Sequence, residues 1–111
     1  MTVRRALEEA SMFGRRPGAL LIVDAEGVLR GILTDGDVRR LVLSNVEGLE
    51  RGIGEVMTRS PRTLRDDALV RDAVRMVREH RQDEIPVVDR AGRPVGLLDV
   101  QDLIAIKVVE D

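Results

Sequence analysis

The amino-acid sequence predicts an α/β (α+β) fold in which two copies of one unit pack small sheets against flanking helices. Leu21–Leu43 and Pro86–Val108 align without a gap, and such self-similarity indicates a repeated unit. Within each copy the apolar spacing changes from helical to extended and back to helical, which gives a helix, a hairpin and a second helix. We expect a pseudo-two-fold axis to relate the copies. The identical pairs are Val23 and Val88, Asp24 and Asp89, Gly27 and Gly92, Gly31 and Gly96, Leu33 and Leu98, and Asp37 and Asp102.

The first copy, assigned to residues 1–50, shows its hairpin most plainly. Asp24-Ala25-Glu26-Gly27 is a run of turn-forming residues between two apolar stretches, and that order is typical of a β-hairpin. Thr34 then precedes a segment with helical apolar spacing, which predicts a helix beginning at the next residue. The predicted elements are a helix Val3–Phe13, strands Ala19–Val23 and Val28–Leu33, and a helix Asp35–Leu43.

The second copy, assigned to residues 51–111, repeats this order after a linker, Ile53–Pro61. Apolar residues recur at helical spacing from Leu69 to His80, behind Asp66 and Asp67 as candidate N-caps. His80 is expected to end this helix in a structural role. The remaining predicted elements are a short opening strand Arg62–Leu64, hairpin strands Ile85–Val88 and Pro94–Leu98 around a turn Asp89–Gly92, and a helix Val100–Val108.

The first copy has no counterpart of the strand that opens the second. The sequence places the Val3 helix almost at its start. We therefore expect either that this copy lacks its opening strand or that the chain belongs to a larger protein.

Composition excludes several function classes. Apolar residues make up 43% of the chain and charged residues 34%, which is typical of a globular domain. A net charge of -2 is inconsistent with a nucleic-acid binder. With no cysteine and one histidine, a metal site is not expected. The chain shows no apolar run near the ~18 residues of a membrane span and no signal-peptide core, so we expect a cytoplasmic protein without membrane contact.

The segment around Thr34 carries the most informative chemistry. A Thr at a strand-to-helix junction, with Asp37 three residues later, lies where free helix amides favour an anion. Thr34 could donate to a phosphate, and the Asp37 carboxylate could accept from both hydroxyls of a ribose. The same two residues also fit a capping box that merely stabilises the helix start. The sequence leaves both roles open, and they are compatible.

These residues resemble the CBS domain family, whose domains occur as tandem pairs. Its pattern is Gly, an apolar residue, any residue, Ser or Thr, two more residues, then Asp or Asn. Gly31-Ile32-Leu33-Thr34-Asp35-Gly36-Asp37 fits throughout. Gly96-Leu97-Leu98-Asp99-Val100-Gln101-Asp102 departs at Asp99. Together with VMTRSP and IPVVD, the order looks like the C-terminal CBS pair of the sugar isomerases that make arabinose 5-phosphate. A similar TDGD segment occurs in CBS pairs attached to sugar nucleotidyltransferases.

The resemblance implies a regulatory module without catalytic residues. Its ligand would be an adenine nucleotide (AMP, ADP or ATP) or another nucleotide, no cofactor would be required, and an attached or associated enzyme domain would be controlled. The opening strand lines the base pocket in this family, so its loss would weaken the first site. A carboxylate at Asp99 would repel phosphate by about 4 kcal/mol at 4 Å and a dielectric near 20, so the second site ranks below the first. The implied ligand-binding residues are Gly31, Thr34, Asp35, Asp37, Thr63, Ile85, Pro86, Asp99 and Asp102.

Apolar residues on the helices that follow each hairpin predict self-association. Such side chains are too apolar for wholly exposed helices in a small domain. We therefore expect a homodimer, and a ligand-free assembly module is the alternative function. The residues concerned are Leu41, Val42, Leu103, Ile104 and Ile106.

Overall fold

Two three-stranded sheets with helices form the fold in the computed structural model, which describes residues 1–11 and 18–100 and the side chains of 1–10 and 18–100. This arrangement confirms the predicted mixture of helices and small sheets. The helices are α1 (Val3–Ser11), α2 (Asp35–Ser44), α3 (Ile53–Val56) and α4 (Val70–His80), with a 3-10 helix at Gly48–Glu50. The strands are β1 (Ala19–Val23), β2 (Leu29–Thr34), β3 (Thr58–Arg59), β4 (Leu64–Arg65), β5 (Glu84–Val88) and β6 (Pro94–Asp99).

The chain divides into two compact units whose boundaries do not follow the sequence repeat. The first unit contains Met1–Ile22 and Arg30–Ser60. The second contains Val23–Leu29 and Pro61–Asp111. The tip of the first hairpin thus groups with the residues of the second copy.

The first unit contains the sheet β1-β2-β3 and a core centred on Val3, Leu33 and Leu41. Strand β3 runs antiparallel to β2 and pairs Thr58 with Ile32. The start of the chain is held by an isolated bridge between Thr2 and Gly52. Each core side chain is at most 9% exposed, so removing one would leave a cavity.

The second unit contains the sheet β4-β5-β6, in which β4 is parallel and β6 antiparallel to β5. Helix α4 covers it through Ala73, which is 2% exposed and clusters with Ile85. The helix ends at His80, as predicted, before Arg81 in the left-handed conformation at φ 49. The predicted helix Val100–Val108 lies outside the described residues except at its first position.

Two hairpin turns of the same design contact each other within the second unit. Asp24 accepts from the amides of Glu26 and Val28, and Asp89 accepts from those of Ala91 and Arg93. The turns close through Gly27 and Gly92 at φ 83 and 84, a conformation that glycine adopts without strain. The contact between them includes Arg93 Nε donating to the Glu26 carbonyl at 2.8 Å and the Leu29 amide donating to the Gly92 carbonyl at 2.9 Å.

Most predicted elements are confirmed within one or two residues, and β1 has the predicted bounds. The predicted helix Val3–Phe13 is present as far as Ser11, and its last two residues lie outside the described part. The opening strand of the second copy lies slightly later than predicted, at Leu64–Arg65.

Two predictions about side chains are wrong. Asp66 and Asp67 do not cap α4, because they form a turn and the N-cap residue is Leu69. The cap comes instead from Asp72, whose Oδ2 accepts from the Leu69 amide at 2.9 Å. Leu41 does not belong to an exposed apolar face, because it is 9% exposed and packs into the first core.

Candidate functional site

The candidate site of the first copy lies where β2 ends and α2 begins. Ile32 and Leu33 are buried, and they hold the end of β2 in the core. Thr34 follows in an extended conformation and is the N-cap of α2. Its Oγ1 accepts from the Asp37 amide at 3.1 Å, and Asp37 Oδ2 accepts from the Thr34 amide at 2.9 Å. The capping box left open by the sequence is therefore present.

The Asp37 carboxylate is held from both of its oxygens. While Oδ2 belongs to the capping box, Oδ1 accepts from Arg40 Nη2 at 2.7 Å. Burial would raise the pKa of Asp37, but the hydrogen bonds from the Thr34 amide and from Arg40 outweigh it, so the pKa lies below its ordinary value. The group is thus an anion at neutral pH with a fixed orientation.

Asp37 retains the capacity for further hydrogen bonds. A carboxylate offers about four acceptor positions, and the two described bonds occupy two of them. Its side chain is 23% exposed, so solvent reaches it. The capping role therefore leaves the ribose role open, and contact with ribose stays a prediction.

The other predicted residues of this site differ in their surroundings. Gly31 is buried against Met57, and a Cβ at this position would lie 2.8 Å from Met57 Cγ. Its lack of a side chain is explained by this packing. Asp35 is exposed, and its amide donates to the Gly18 carbonyl at 3.0 Å. Thr34, Asp35 and Asp37 thus surround the first turn of α2, while Gly31 supports the strand below them.

The predicted ligand-binding residues of the second copy differ in their exposure to solvent. Thr63 is exposed immediately before β4, whereas Ile85 is 1% exposed and Pro86 is equally enclosed. Asp99 ends β6 opposite Glu84. Contact of these residues with a ligand stays a prediction. Asp102 lies outside the described residues.

The sequence offers Arg39 and Arg40 as cations that could reach a phosphate, but surface arginines are mostly solvated, so neither was selected as a site residue. The signal available for Arg40 was its position three residues after Asp37, which places two side chains on the same face of a helix. Within the described part of the chain, no group of three or more His, Cys, Asp or Glu side chains could hold a metal ion. In the same part, no helix has the length and apolar character needed to cross a bilayer.

The family model of the CBS domain matches residues 1–44 and 53–108. Among curated proteins, the arabinose 5-phosphate isomerase KdsD of Pseudomonas aeruginosa is 34% identical over 92 residues, which cover 83% of this chain. The chain spans 28% of that isomerase. The similarity therefore concerns a limited part of the enzyme.

Two solved structures with bound ligands have the same fold. CBSX2 in complex with AMP superposes with a TM-score of 0.77 at 27% identity, covering 96% of this chain and 81% of that one. The CBS domain pair of MJ0100, in complex with 5′-methylthioadenosine and S-adenosyl-L-methionine, gives a TM-score of 0.80 at 25% identity, covering 100% and 85%. Both of these relatives bind ligands that contain adenosine.

Proposed function

Because the chain belongs to the CBS domain family, whose domains regulate rather than catalyse, we propose that it senses an adenine nucleotide. The observation that carries the proposal is the Thr34 and Asp37 pair, which stands at a strand-to-helix junction with the carboxylate ionised and fixed. AMP in CBSX2 supports the ligand class. No cofactor is required for this function.

Family membership confirms two predictions made from the sequence. The resemblance to a tandem CBS pair is confirmed, since the family model matches residues 1–44 and 53–108. The interpretation of the chain as a regulatory domain rather than an enzyme is confirmed as well, since the chain belongs to the CBS domain family.

The first site is proposed as the principal one. Asp37 combines a fixed orientation with remaining acceptor positions, which suits a pair of ribose hydroxyls. Gly31 and Asp35 would support and border the ligand. In the second copy, Asp99 would place a carboxylate where Thr34 stands in the first, so we expect weaker binding there. Thr63, Ile85, Pro86 and Asp102 would contribute to that second site.

Calorimetric titration with AMP, ADP and ATP tests the proposal. We expect heat of binding with one or more of them, and absence of heat with all three would refute it. Asp37→Ala should lower the binding affinity for a ribonucleotide more than the affinity for its 2′-deoxy counterpart, because the lost carboxylate is proposed to contact the ribose hydroxyls. Equal losses would refute the ribose role of Asp37.

A matched control is provided by Asp72. Its carboxylate accepts from the N-cap amide of α4 at 2.9 Å, as that of Asp37 does for α2. Asp72→Ala should therefore destabilise a helix start in the same way without changing nucleotide affinity. If both variants lose affinity equally, the effect of Asp37 comes from helix stability.

We further propose that the nucleotide signal controls an attached or associated enzyme domain, for example a sugar-phosphate isomerase. The 34% identity to part of an arabinose 5-phosphate isomerase supports this partner. Adding nucleotide to the joined proteins should change the rate of the isomerase reaction, and an unchanged rate would contradict this control. The cytoplasmic location expected from the sequence stays a prediction.

The second candidate function is assembly of a homodimer without a ligand. Leu43 and Val46 are 81% and 84% exposed, and Val42 beside them is 39% exposed. Leu103, Ile104 and Ile106, which also predicted the dimer, lie outside the described residues. Light scattering at micromolar concentration should show a dimer that Leu43→Glu or Leu103→Glu converts to a monomer. A monomeric wild-type protein would refute this prediction.

A further inference from the structure

Arg40 is placed differently from Arg39, the other arginine of α2. It forms an ion pair with Asp37, with Nη2 2.7 Å from Oδ1. Arg39 is also exposed, but it forms no such pair among the described residues. The guanidinium of Arg40 is therefore directed toward the start of the helix and the proposed ribose site.

Gly36 leaves the surface beneath this guanidinium uncovered. A Cβ at Gly36 would lie 3.4 Å from Arg40 Nη1 and 3.8 Å from Thr34 Oγ1. The Arg40 cation and the Thr34 hydroxyl thus both lie close to Gly36, and the cation is paired with the Asp37 carboxylate. A ligand that contacts one of these groups comes within reach of the others.

Arg40 can bind an anion without releasing Asp37. A guanidinium has five N–H donors, and Arg40 uses Nη2 to donate to Asp37. The side chain of Arg40 is 73% exposed, so its other donors are open to solvent. In a 5′-nucleotide, the phosphate is joined to the ribose ring through a single methylene group. A ribose on Asp37 would therefore bring its phosphate toward Arg40.

We propose that Arg40 makes this site select phosphorylated nucleosides over neutral ones. The proposal rests on the proposed function, because it assigns the ribose to Asp37. It adds a specificity-determining residue: Asp37 holds the sugar, and Arg40, fixed by its ion pair with Asp37, contacts the phosphate. Planar guanidinium groups suit phosphate better than a point charge does.

Titration of wild type and Arg40→Ala with AMP and with adenosine tests the assignment. We expect wild type to bind AMP more tightly than adenosine. Arg40→Ala should lower AMP affinity about tenfold or more, which is the effect of one lost charge-assisted hydrogen bond, and change adenosine affinity less than about threefold. Arg40→Lys should retain part of the preference for AMP.

Arg39→Ala is the matched control, because it removes the same charge one residue away. It should leave the ratio of AMP to adenosine affinity unchanged. Equal losses of AMP affinity in Arg39→Ala and Arg40→Ala would overturn the assignment in favour of a general charge effect. Equal losses of AMP and adenosine in Arg40→Ala would show that Arg40 only positions Asp37.

If the chain does not sense adenine nucleotides at all, the titrations give a different pattern. If wild type binds neither AMP nor adenosine, nucleotide sensing itself is refuted, and the role of Arg40 with it. If AMP binds and Asp37→Ala removes binding while Arg40→Ala does not, the site stands and the selectivity assignment is wrong. Circular dichroism of each variant establishes that it is folded.

Discussion

Replacing Asp37 with alanine should destabilise the ligand-free protein by about 1.5 kcal/mol. The substitution removes the hydrogen bond from the Thr34 amide and the ion pair with Arg40. A capping interaction contributes about 1 kcal/mol, and an ion pair with a partner that is 73% exposed contributes about 0.3–0.5 kcal/mol. With about 2.1 cal/mol/K per residue over 111 residues, the Tm should fall by about 6 °C.

The pH dependence of this loss identifies its origin. Because the folded-state pKa of Asp37 is lowered, the ionised carboxylate stabilises the fold. This contribution is fully present above the unfolded pKa, about 3.9, and is lost as the pH falls through the folded pKa. The difference in Tm between wild type and Asp37→Ala should therefore be constant from pH 7 to about pH 5 and narrow below about pH 4.

Thermal melts followed by circular dichroism measure both effects. Asp37→Asn serves as the control, because it keeps an oxygen for the Thr34 amide but lacks the charge, and its stability loss should be about a third of that of Asp37→Ala. A fall in Tm below about 2 °C for Asp37→Ala would refute the reasoning. So would a difference that persists unchanged at pH 3.

Three further predictions concern other positions. Gly48→Ala should lower the free energy of unfolding, measured by urea denaturation, by about 1–3 kcal/mol, since its Cβ would lie 2.7 Å from Leu41 Cγ. Gly52→Ala, whose Cβ meets nothing closer than 4.0 Å, should lower it less. Equal losses in the two variants would contradict this account. Gly92→Ala should lower stability by about 1 kcal/mol or more in thermal melts, because φ is 84, and Gly92→Asn should be better tolerated. Asp99→Thr should raise nucleotide affinity of the second site about tenfold in calorimetry at one low salt concentration; unchanged stoichiometry and affinity would show that Asp99 does not disfavour phosphate.

The elements predicted well are those specified by local sequence. The turns at Asp24 and Asp89 were predicted from runs of turn-forming residues. In the structure each Asp bonds to amides two and four residues later, and such bonds need no distant partner. The junction at Thr34 was predicted from local sequence as well. Its N-cap geometry depends on residues within three positions along the chain.

The predictions that failed depended on contacts distant in sequence or on competing local caps. Leu41 was assigned to an exposed face, but residues near Gly48 approach it closely, which helical spacing does not reveal. Strand β3 has two residues and pairs with Gly31 and Ile32, so it carries no periodic signal of its own. At α4, Asp72 accepts the hydrogen bond of the Leu69 amide from inside the helix. The prediction that Asp66 and Asp67 cap this helix was therefore wrong.

The candidate site was predicted in part. Thr34, Asp35 and Asp37 are brought together at the first turn of α2, because they are close in sequence and the helix start orders them. The sequence did not reveal that Arg40 would turn back toward Asp37, since an exposed arginine has many conformations. Nor did it reveal that Ile85 would be enclosed in the second core.

Hydrogen bonds join the start of the chain to the residues after Glu50, and they limit which fragments of the chain can fold. Val3 donates to the Arg51 carbonyl at 3.0 Å, Ile53 donates to the Met1 carbonyl at 2.8 Å, and β3 completes the first sheet. A peptide ending at residue 50 would lose these partners and expose one edge of β2. The sequence repeat therefore marks a duplication, but a fragment that keeps the first sheet and its hydrogen bonds has to extend beyond residue 50 to include β3.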